Sequence, residues 1–446
     1  MTVTRLLARQ IRSVFRRALS ISVRDADVLI RFATGPAGLI VRAQAGDRAV
    51  EYIDPAPQSA GEAACTLRDL SECEGRKPEL LILDSNGTQQ IIARWSDQGI
   101  PQLHQRSLPT GTSATDFPDD PGNGVENPPE LLAALSAAAK TCDETSSRYV
   151  LQTVQLQGVK GALVATDGKQ LLRQEGFRFP FDDDVLVYPS AVFECQELSR
   201  DRPVLVNRLA KHVVVEIKPW TIWLPIEVER RFPRVDDIIP SPRDASSTFE
   251  LAPSDRDFLG SMLARLPAQS EPNHPVTIDL NGAIAVRAKA SDHTQGTELI
   301  LSQSRYDGEQ IRLCMNRSFL QRAIELGFHR VHFYGKSNPA MASDEHRQLI
   351  WALLDSDFSV KPAENHIRLE SPKASQPAVR RSCHRRGHEN IAATLRSTSE
   401  LSVDRNQNRS EIDEVPKRPG DSAHRRRIRP MEVIRSAQNQ AVQAPT

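Results

Sequence analysis

Hydrophobic and polar positions follow a pattern that recurs three times along the chain. Each third opens with apolar residues spaced three or four apart, which predicts an amphipathic helix, and continues with apolar residues at every second position, which predicts strands. A second, shorter helical pattern lies inside each third. We therefore predict a three-fold structural repeat of about 115 to 125 residues, in which every copy combines helices with sheets.

The helices and hairpins of the three repeats can be placed along the sequence. Residue types at helix ends support the placement, because Ser254 is suited to cap a helix N-terminus and Gly327 to end a helix. The clearest hairpin has Asn281-Gly282 as a tight turn between alternating strands. The predicted opening helices are 5–20, 129–142 and 254–266, and the predicted inner helices are 66–73, 189–198 and 316–326.

Clusters of Pro and Asp interrupt the pattern and indicate domain boundaries. The predicted fold class is α+β, with repeated domains at 1–122, 128–243 and 247–360 and a C-terminal tail at 365–446. A chain of 446 residues is long enough to bury several cores of this kind.

The tail differs from the rest of the chain in charge and composition. From residue 373 onward, 15 Lys or Arg stand against 8 Asp or Glu, a net charge of +7, and the preceding residues carry −7. The tail has no Phe, Trp or Tyr, so it cannot bury enough apolar surface to offset the entropy of ordering, and we predict that it is disordered. Its clusters Arg380-Arg381 and Arg425-Arg426-Arg427 can hold DNA or an acidic partner, or belong to a solvated extension without function.

The composition of the whole chain leaves the partner open. The chain has 57 Lys or Arg and 57 Asp or Glu, so its net charge is zero and identifies no partner. A run of about 18 apolar residues is absent from the sequence, which predicts that no segment spans a membrane. The six cysteines are scattered without a Cys-x-x-Cys pair, which favours a reduced, cytoplasmic protein.

The first predicted helix carries the most informative local pattern. Its apolar residues share one face, and the opposite stripe consists of arginines, namely Arg5, Arg9, Arg12 and Arg16. No acid precedes Asp25, so we expect solvent ions or a polyanion to neutralise the stripe, and phosphate is the natural candidate. The same pattern is also typical of a transit peptide, of a membrane-surface helix, or of a solvated face.

Three short motifs follow one another in the middle third. They are Arg148-Tyr149-Val150-Leu151, then 164–171 (VATDGKQL), and then 231–240, which begins Arg231-Phe232-Pro233 and ends Ile238-Ile239-Pro240. Their order and spacing resemble the middle domain of the bacterial DNA polymerase III β subunit family, the sliding clamps. The last third resembles the family more loosely, through 316–320 (NRSFL), Asn338-Pro339 and a final strand at 349–353. The first third resembles it by position only.

The resemblance implies three DNA-clamp domains, with antiparallel sheets outside and two helices from each domain facing a central hole. It implies that two chains pair head to tail into a homodimeric ring around duplex DNA. Such a processivity factor is not an enzyme, needs no cofactor, is cytoplasmic and nucleoid-associated, and binds DNA polymerase and a clamp loader through short peptides. A hole-facing helix needs a basic face, which gives the arginine stripe a role.

The resemblance also implies two sets of site residues. Arg148 and Tyr149 match a loop that contacts DNA, although Tyr149 can equally be an ordinary strand residue. A cleft between the middle and last domains, where partner peptides with apolar anchors dock, is implied at Thr166, Gly168, Leu171, Pro233, Ile238, Leu349, Trp351 and Leu353. The alternative for these positions is the core of the domain junction.

Several positions depart from the family pattern. Lys169-Gln170 replace His-Arg, and 351–354 replace the usual end of the family's chains. The helix predicted after Pro189 lacks the basic residue often found there. A divergent or accessory clamp therefore fits as well as a replicative one, and a clamp-fold scaffold that binds proteins without encircling DNA is the alternative.

Motifs of catalysis and metal binding do not stand out. The sequence has no Gly-x-Gly-x-x-Gly, Walker, Gly-x-Ser-x-Gly or His-Glu-x-x-His motif. Asp182-Asp183-Asp184 is interpreted as a solvated loop, and Cys383, His384 and His388 lack a second pair of ligands. We therefore predict neither an enzyme nor a metal site.

Overall fold

The computed structural model describes residues 1–22, 27–85, 90–108, 117–143 and 150–372. Residues Met1–Ala374 form one compact unit, which contains the three repeated domains. Apart from its first positions, the predicted tail lies outside the described residues.

Domain 1 contains two helices and two antiparallel sheets. The helices are α1 (Arg5–Ala18) and α2 (Leu67–Cys73). The strands are β1 (Thr2–Thr4), β2 (Leu29–Gly35), β3 (Gly38–Ala45), β4 (Arg48–Asp54), β5 (Gly61–Thr66), β6 (Leu80–Ser85), β7 (Gln90–Asp97) and β8 (Ile100–Ser107). The first sheet has the order β5-β2-β3-β4 and the second β1-β6-β7-β8.

Domain 2 repeats this arrangement around helix α3 (Glu130–Ala139). The strands are β9 (Val125–Asn127), β10 (Val154–Gln157), β11 (Ala162–Thr166), β12 (Gln170–Gln174), β13 (Asp184–Val187), β14 (Val204–Arg208), β15 (His212–Ile217) and β16 (Trp220–Glu227). The sheets have the orders β13-β10-β11-β12 and β9-β14-β15-β16.

Domain 3 contains helices α4 (Pro253–Met262) and α5 (Arg317–Glu325). The strands are β17 (Ser247–Glu250), β18 (Pro275–Asn281), β19 (Ala283–Ala288), β20 (Thr297–Ile300), β21 (Arg305–Gly308), β22 (Ile311–Asn316), β23 (Arg330–Phe333), β24 (Ala340–Ser343), β25 (Arg347–Trp351), β26 (Leu353–Leu354) and β27 (Ile367–Glu370). One sheet has the order β26-β22-β18-β19-β20-β27, and in the other β17 lies between β21 and β23, followed by β24 and β25.

The predicted α+β class with three repeats is confirmed, and two helix predictions need correction. The inner helix predicted at 189–198 is only a 3-10 turn at Ala191–Glu194, because its buried residues do not fall on one α-helical stripe. Helix α4 starts at Pro253 and not after Ser254, with no side-chain cap. Gly327 ends α5 with a φ of 85°, as predicted.

The end of domain 3 also differs from the prediction. The tail is predicted to begin at 365, but 367–370 form β27 on the edge of the domain 3 sheet. The signal in the sequence is weak, because Ile367 and Leu369 are the only apolar residues of a four-residue strand.

The three domains are joined edge to edge. Strand β4 of domain 1 pairs antiparallel with β16 of domain 2, and β12 of domain 2 pairs antiparallel with β25 of domain 3. Unpaired strand edges expose backbone donors and acceptors, so each junction satisfies groups that two separate domains would leave open. The pairing makes the domains parts of continuous outer sheets.

Buried side chains lie between the sheets and the helices. Domains 1 and 2 share one apolar cluster, in which the ring centroids of Phe15 in α1 and Trp220 in β16 are 6.3 Å apart. Domain 3 has a second cluster, which Ala137 and Leu172 of domain 2 join. The helices are therefore fixed to the sheets across both junctions.

Helix α2 is held in place by a capping box with an added histidine. The Thr66 hydroxyl accepts from the Asp69 amide at 3.2 Å, and the Asp69 carboxylate accepts from the Thr66 amide at 2.8 Å. His104 in β8 is 2.9 Å from the carboxylate of Asp69, a residue that is 1% exposed. Burial raises the pKa of Asp69, but the hydrogen bonds with His104 and Thr66 outweigh burial and the net shift is downward.

We expect Asp69→Ala to lower the free energy of unfolding by about 3 kcal/mol, because it removes a helix cap and leaves buried donors unpaired. The pKa of Asp69 is lower in the folded state, so its contribution is present above the unfolded pKa and is lost as pH falls through the folded pKa. Urea unfolding of both proteins at neutral pH and at about pH 3 measures this difference. Asp84→Ala, at an exposed pair with Arg94, is the control and should cost less than about 1 kcal/mol. An equal loss at both pH values would contradict the assignment.

Candidate nucleic-acid interface and partner cleft

Helix α1 forms as predicted, with one buried and one polar face. The Thr4 hydroxyl caps it by accepting from the Leu7 amide at 3.1 Å. Its buried residues are Ala8, Ile11, Val14, Phe15 and Ala18. The four predicted arginines therefore lie away from the core, but they do not have equivalent surroundings.

Arg5 is a structural anchor of domain 1. Its guanidinium lies 2.7 Å from the Glu79 carboxylate and 3.5 Å from that of Asp97. It also donates to the backbone carbonyls of Cys73 and Glu74 at 3.1 Å, and its side chain is only 11% exposed. Arg5 thus ties the start of α1 to the segment that follows α2.

Arg12 is also neutralised within the protein. Its guanidinium donates to both carboxylate oxygens of Glu74, at 2.5 and 2.8 Å. The hydrogen bond with Glu74 raises the pKa of Arg12, in spite of partial burial. The expectation that the stripe lacks counter-ions is therefore wrong for two of its four members, because the acids come from the region after α2 and not from α1 itself.

Arg9 and Arg16 are the members that remain available. Arg9 is exposed and Arg16 half-buried, and neither side chain has an ion-pair or hydrogen-bond partner among the residues that the structure describes. They are seven residues apart, or about 10 Å along the helix. That distance allows them to contact separate phosphates of one nucleic acid.

The helices of domains 2 and 3 offer fewer available cations. Lys140, after α3, pairs with Glu194 at 3.1 Å. Arg322 in α5 donates to the Ala137 carbonyl and the Thr141 hydroxyl of domain 2, both at 2.7 Å. Lys140 is thus paired within domain 2 and Arg322 joins domain 3 to domain 2, so these two cations are less available to a ligand than Arg9 and Arg16 of α1. The predicted DNA-contacting residues Arg148 and Tyr149 lie outside the described residues.

The junction between domains 2 and 3 contains a small apolar cluster on the outer face of the sheet. Pairing of β12 with β25 sets Leu171 opposite Ile350. These two side chains pack with others from the linker and from domain 3, and the cluster consists of Val164, Leu171, Val235, Met341 and Ile350, with the half-buried Phe232, Ile239 and Tyr334 around it. We call this set the junction cluster.

Two of the predicted cleft residues lie on the other side of the sheet. Leu349 and Trp351 are 0% and 1% exposed and belong to the core of domain 3. Side chains alternate along a strand, so the position that faces the junction cluster is Ile350. Leu353 is half-buried against the same domain 3 core. Leu349 and Trp351 thus occupy buried core positions, which agrees with the alternative of a domain-junction core, and Ile350 is the residue of β25 in the junction cluster.

The remaining predicted residues surround the junction cluster. The Thr166 hydroxyl donates to the Gln170 carbonyl at 2.6 Å and accepts from the Gly168 amide at 3.0 Å, which closes a tight turn. Gly168 has a φ of 82°, a conformation that favours glycine. In the linker, Pro233 is half-buried and Ile238 is 46% exposed. The exposed apolar surface beside the cluster is thus provided by the linker.

Tyr334 is a residue of this site that the sequence did not point to. Its hydroxyl oxygen is buried and has no hydrogen-bond partner in the described part of the chain. Burial, with a contribution from Asp244, raises the pKa of Tyr334 to about 12, so the group is a neutral donor. An unpaired buried hydroxyl beside an apolar cluster suits a ligand that brings both an apolar side chain and a backbone carbonyl.

The acidic clusters and helices that the structure describes point to neither a metal site nor a membrane span. Within the described ranges, no three His, Cys, Asp or Glu residues are placed to hold a metal ion. The Asp183 carboxylate pairs with Arg208, and Asp184 accepts from Gln155 at 3.0 Å. No helix in the described part of the chain is long and apolar enough to cross a membrane.

Comparison with known proteins identifies the fold. No protein-family model and no curated protein sequence matches the chain. The chain is similar to the crystal structure of the DNA polymerase III β chain of Streptococcus pneumoniae, with a TM-score of 0.64 and 14% identity, over 80% of this chain and 99% of that one. A Pseudomonas aeruginosa sliding clamp gives 0.65 and 15%, over 80% and 99%. The Thermotoga maritima β subunit gives 0.63 and 15%, over 79% and 98%.

The chain therefore has the fold of the DNA polymerase sliding clamps, and the predicted resemblance is confirmed at the level of the fold. At these identities the likeness establishes architecture alone.

The placement of β25 can be tested by stability. Trp351→Ala should lower the free energy of unfolding by about 3 to 5 kcal/mol, because it leaves a cavity in the domain 3 core. Ile238→Ala, at an exposed position, should change it by less than about 0.5 kcal/mol. Denaturant unfolding measures both. Similar small losses would mean that Trp351 lines an open cleft after all.

Proposed function

We propose that the chain is a DNA sliding clamp, a processivity factor that encircles duplex DNA as a head-to-tail homodimer. The observation that carries this proposal is the clamp fold with Arg9 and Arg16 unpaired, among the described residues, on the polar face of α1. The protein would act without catalysis, and any polymerase activity would belong to its partners. Its place would be the cytoplasm, at the nucleoid.

The small number of free cations on α1 is compatible with a ring around DNA. A closed ring cannot leave DNA sideways, so it needs only weak, sequence-independent contacts with phosphates. Strong contacts would slow sliding. Two available arginines on α1 in each of two protomers provide a weak contact of this kind, while Arg5, Arg12 and Lys140 are paired with carboxylates of the protein.

DNA retention tests the role of α1. Arg9→Glu with Arg16→Glu should abolish retention on nicked circular DNA at low salt, because it replaces the available cations by acids. The measurement is co-elution with circular DNA on gel filtration, before and after linearisation. Arg31→Glu with Lys211→Glu, which changes two exposed basic residues elsewhere by the same charge, is the matched control and should be retained like the wild type. Retention of the α1 variant would exclude a hole-lining role for that helix.

We propose that the junction cluster and the exposed linker beside it form the docking site for DNA polymerase and clamp loader peptides. Three features support this: the apolar surface of Ile238, the glycine turn at Gly168 and the unpaired hydroxyl of Tyr334. A short peptide with one or two apolar anchors has the chemistry to fill such a site.

Peptide binding tests this docking site. A fluorescent peptide of about nine residues with adjacent Leu and Phe anchors should bind the wild type, and Ile238→Asp should weaken binding at least about tenfold, because the anchor would meet a charge. Fluorescence anisotropy gives both affinities. The control is Val228→Asp, at a residue that is 78% exposed and lies outside the junction cluster. If both variants bound like the wild type, the docking site would be elsewhere.

A second candidate function is a clamp-fold scaffold that binds proteins without encircling DNA. The specific observation in its favour is charge, because residues before 373 carry a net charge of −7 and Arg5 and Arg12 are neutralised internally. A scaffold would keep its peptide partners and show no topological retention on circular DNA.

A further inference from the structure

The two domain junctions within the chain follow one rule. In each junction, the edge strand that ends the first sheet of one domain pairs antiparallel with the edge strand that ends the second sheet of the next domain. These pairs are β4 with β16 and β12 with β25. The rule comes from the repeat itself, because β4 and β12 hold equivalent places in domains 1 and 2, as do β16 and β25 in domains 2 and 3.

The same rule identifies the strands that are left over at the ends of the chain. In domain 3 the equivalent of β4 and β12 is β20, and in domain 1 the equivalent of β16 and β25 is β8. Strand β8 has no neighbour beyond β7 in the described part of the chain. It exposes Ile100 and Leu103, at 63% and 62%. A third junction of the same kind would therefore join β20 of one copy to β8 of another.

The edge of β20 is already occupied, however. Strand β27 pairs with it in parallel, with Thr297 opposite Ile367 and Ile300 opposite Glu370. The Ile367 amide donates to the Gly296 carbonyl at 2.9 Å, and the Ser371 amide donates to the Ile300 carbonyl at 2.9 Å. A second strand cannot use the same backbone groups while β27 is in place.

Strand β27 also completes a row of alternating charges on the outer face of the sheet. Asp279 in β18 is 2.9 Å from Arg312 and 2.5 Å from Arg287. Arg287 is 2.6 Å from Glu298 in β20, and Arg368 in β27 is 3.9 Å from the same carboxylate. Arg368 thus takes the position in which an incoming strand would otherwise meet an acid.

The attachment of β27 is nevertheless limited to its backbone and a few polar contacts. Ile367 and Leu369 remain 53% and 41% exposed, and the side chains of Arg368 and Glu370 are 56% and 61% exposed. The strand buries little apolar surface, so an antiparallel strand that offers the same hydrogen bonds and further contacts between domains can replace it.

We propose that β27 competes with β8 of a second copy for the edge of β20, so that the chain blocks its own head-to-tail junction until β27 leaves. This inference rests on the proposed ring and adds a regulated step to its closure. The partner of the edge is a second copy of this chain, presented through β8.

The test uses the full chain with β27 disabled. By the alternation of the ladder, the amides of Ile367 and Leu369 point to β20 and that of Glu370 points away. Ile367→Pro with Leu369→Pro removes these two donors and leaves that of Ser371, and Glu370→Pro is the matched control, since proline is tolerated where the amide faces outward. We expect the wild type and the control to have the 49.6 kDa mass of one chain by light scattering, and the double variant to have twice that mass at the same concentration.

The expected change is a dimer dissociation constant at least about tenfold lower in the double variant, because the competing state is removed. Circular dichroism checks that the variant stays folded. A wild type that is already a stable dimer, or a folded double variant that stays monomeric, would overturn the proposal.

A further substitution identifies the partner strand. Leu103→Glu in the double-proline background should return the protein to a monomer, because it places a charge in the middle of β8. A dimer that survives Leu103→Glu would show that the copies pair elsewhere. DNA retention of the double-proline variant, measured separately, tells failure of this competition from failure of the clamp function. A variant that dimerises but is not retained on circular DNA would overturn the clamp function alone, whereas equal dimer dissociation constants for wild type and variant would overturn the competition alone.

Discussion

Backbone hydrogen bonding at strand edges is the constraint on which this structure depends. Each domain is a pair of antiparallel sheets, and an uncovered edge exposes a row of donors and acceptors. Within the chain, two such edges are satisfied by pairing across domains, at β4 with β16 and at β12 with β25. The helices, cores and linkers all follow from this arrangement, since a sheet continuous across a junction fixes the angle between domains and so places the helices on a common side. The junction cluster lies where it does because β12 and β25 bring Leu171 and Ile350 side by side.

Electrostatics divides the arginines of this protein into two groups with different roles. Arg5, Arg12 and Arg322 use their hydrogen bonds within the protein, holding α1 to the region after α2 and domain 3 to domain 2. Arg9 and Arg16 have no such partners among the described residues. An arginine of the first group cannot bind a ligand without breaking a structural contact, because removing one member of a half-buried pair leaves the other member unpaired. The number of cations in a sequence therefore overstates the positive potential that a polyanion meets.

The sequence was sufficient for the features that depend on local periodicity and on short motifs. The repeats, helix α1 with its buried face, and the cap at Gly327 were all predictable, because amphipathic spacing and glycine act within a few residues. Features that depend on partners distant in the sequence were not predictable. The acids Glu74 and Glu79 lie more than sixty residues from the arginines they neutralise. The face that each residue of β25 presents depends on its register with β12, which sets Ile350 opposite Leu171 and leaves Leu349 and Trp351 in the domain 3 core. Strand β27 is too short and too exposed to be evident from its sequence.

The two remaining strand edges differ, because β27 covers the edge of β20 and no strand in the described part of the chain covers that of β8. This difference affects how copies of the chain can assemble. A head-to-tail interface is heterologous, so it produces closed rings if the rotation between copies closes and open filaments if it does not. Both outcomes need β20 and β8 together, and covering one of them is enough to prevent both. The chain covers β20, whose exposure would leave the backbone groups at that edge unsatisfied, and leaves β8, whose inner face is already occupied by the contact of His104 with Asp69. A strand that binds an edge without burying much surface is thus well matched to this role: it protects the edge of an isolated chain and still yields to a partner that buries more.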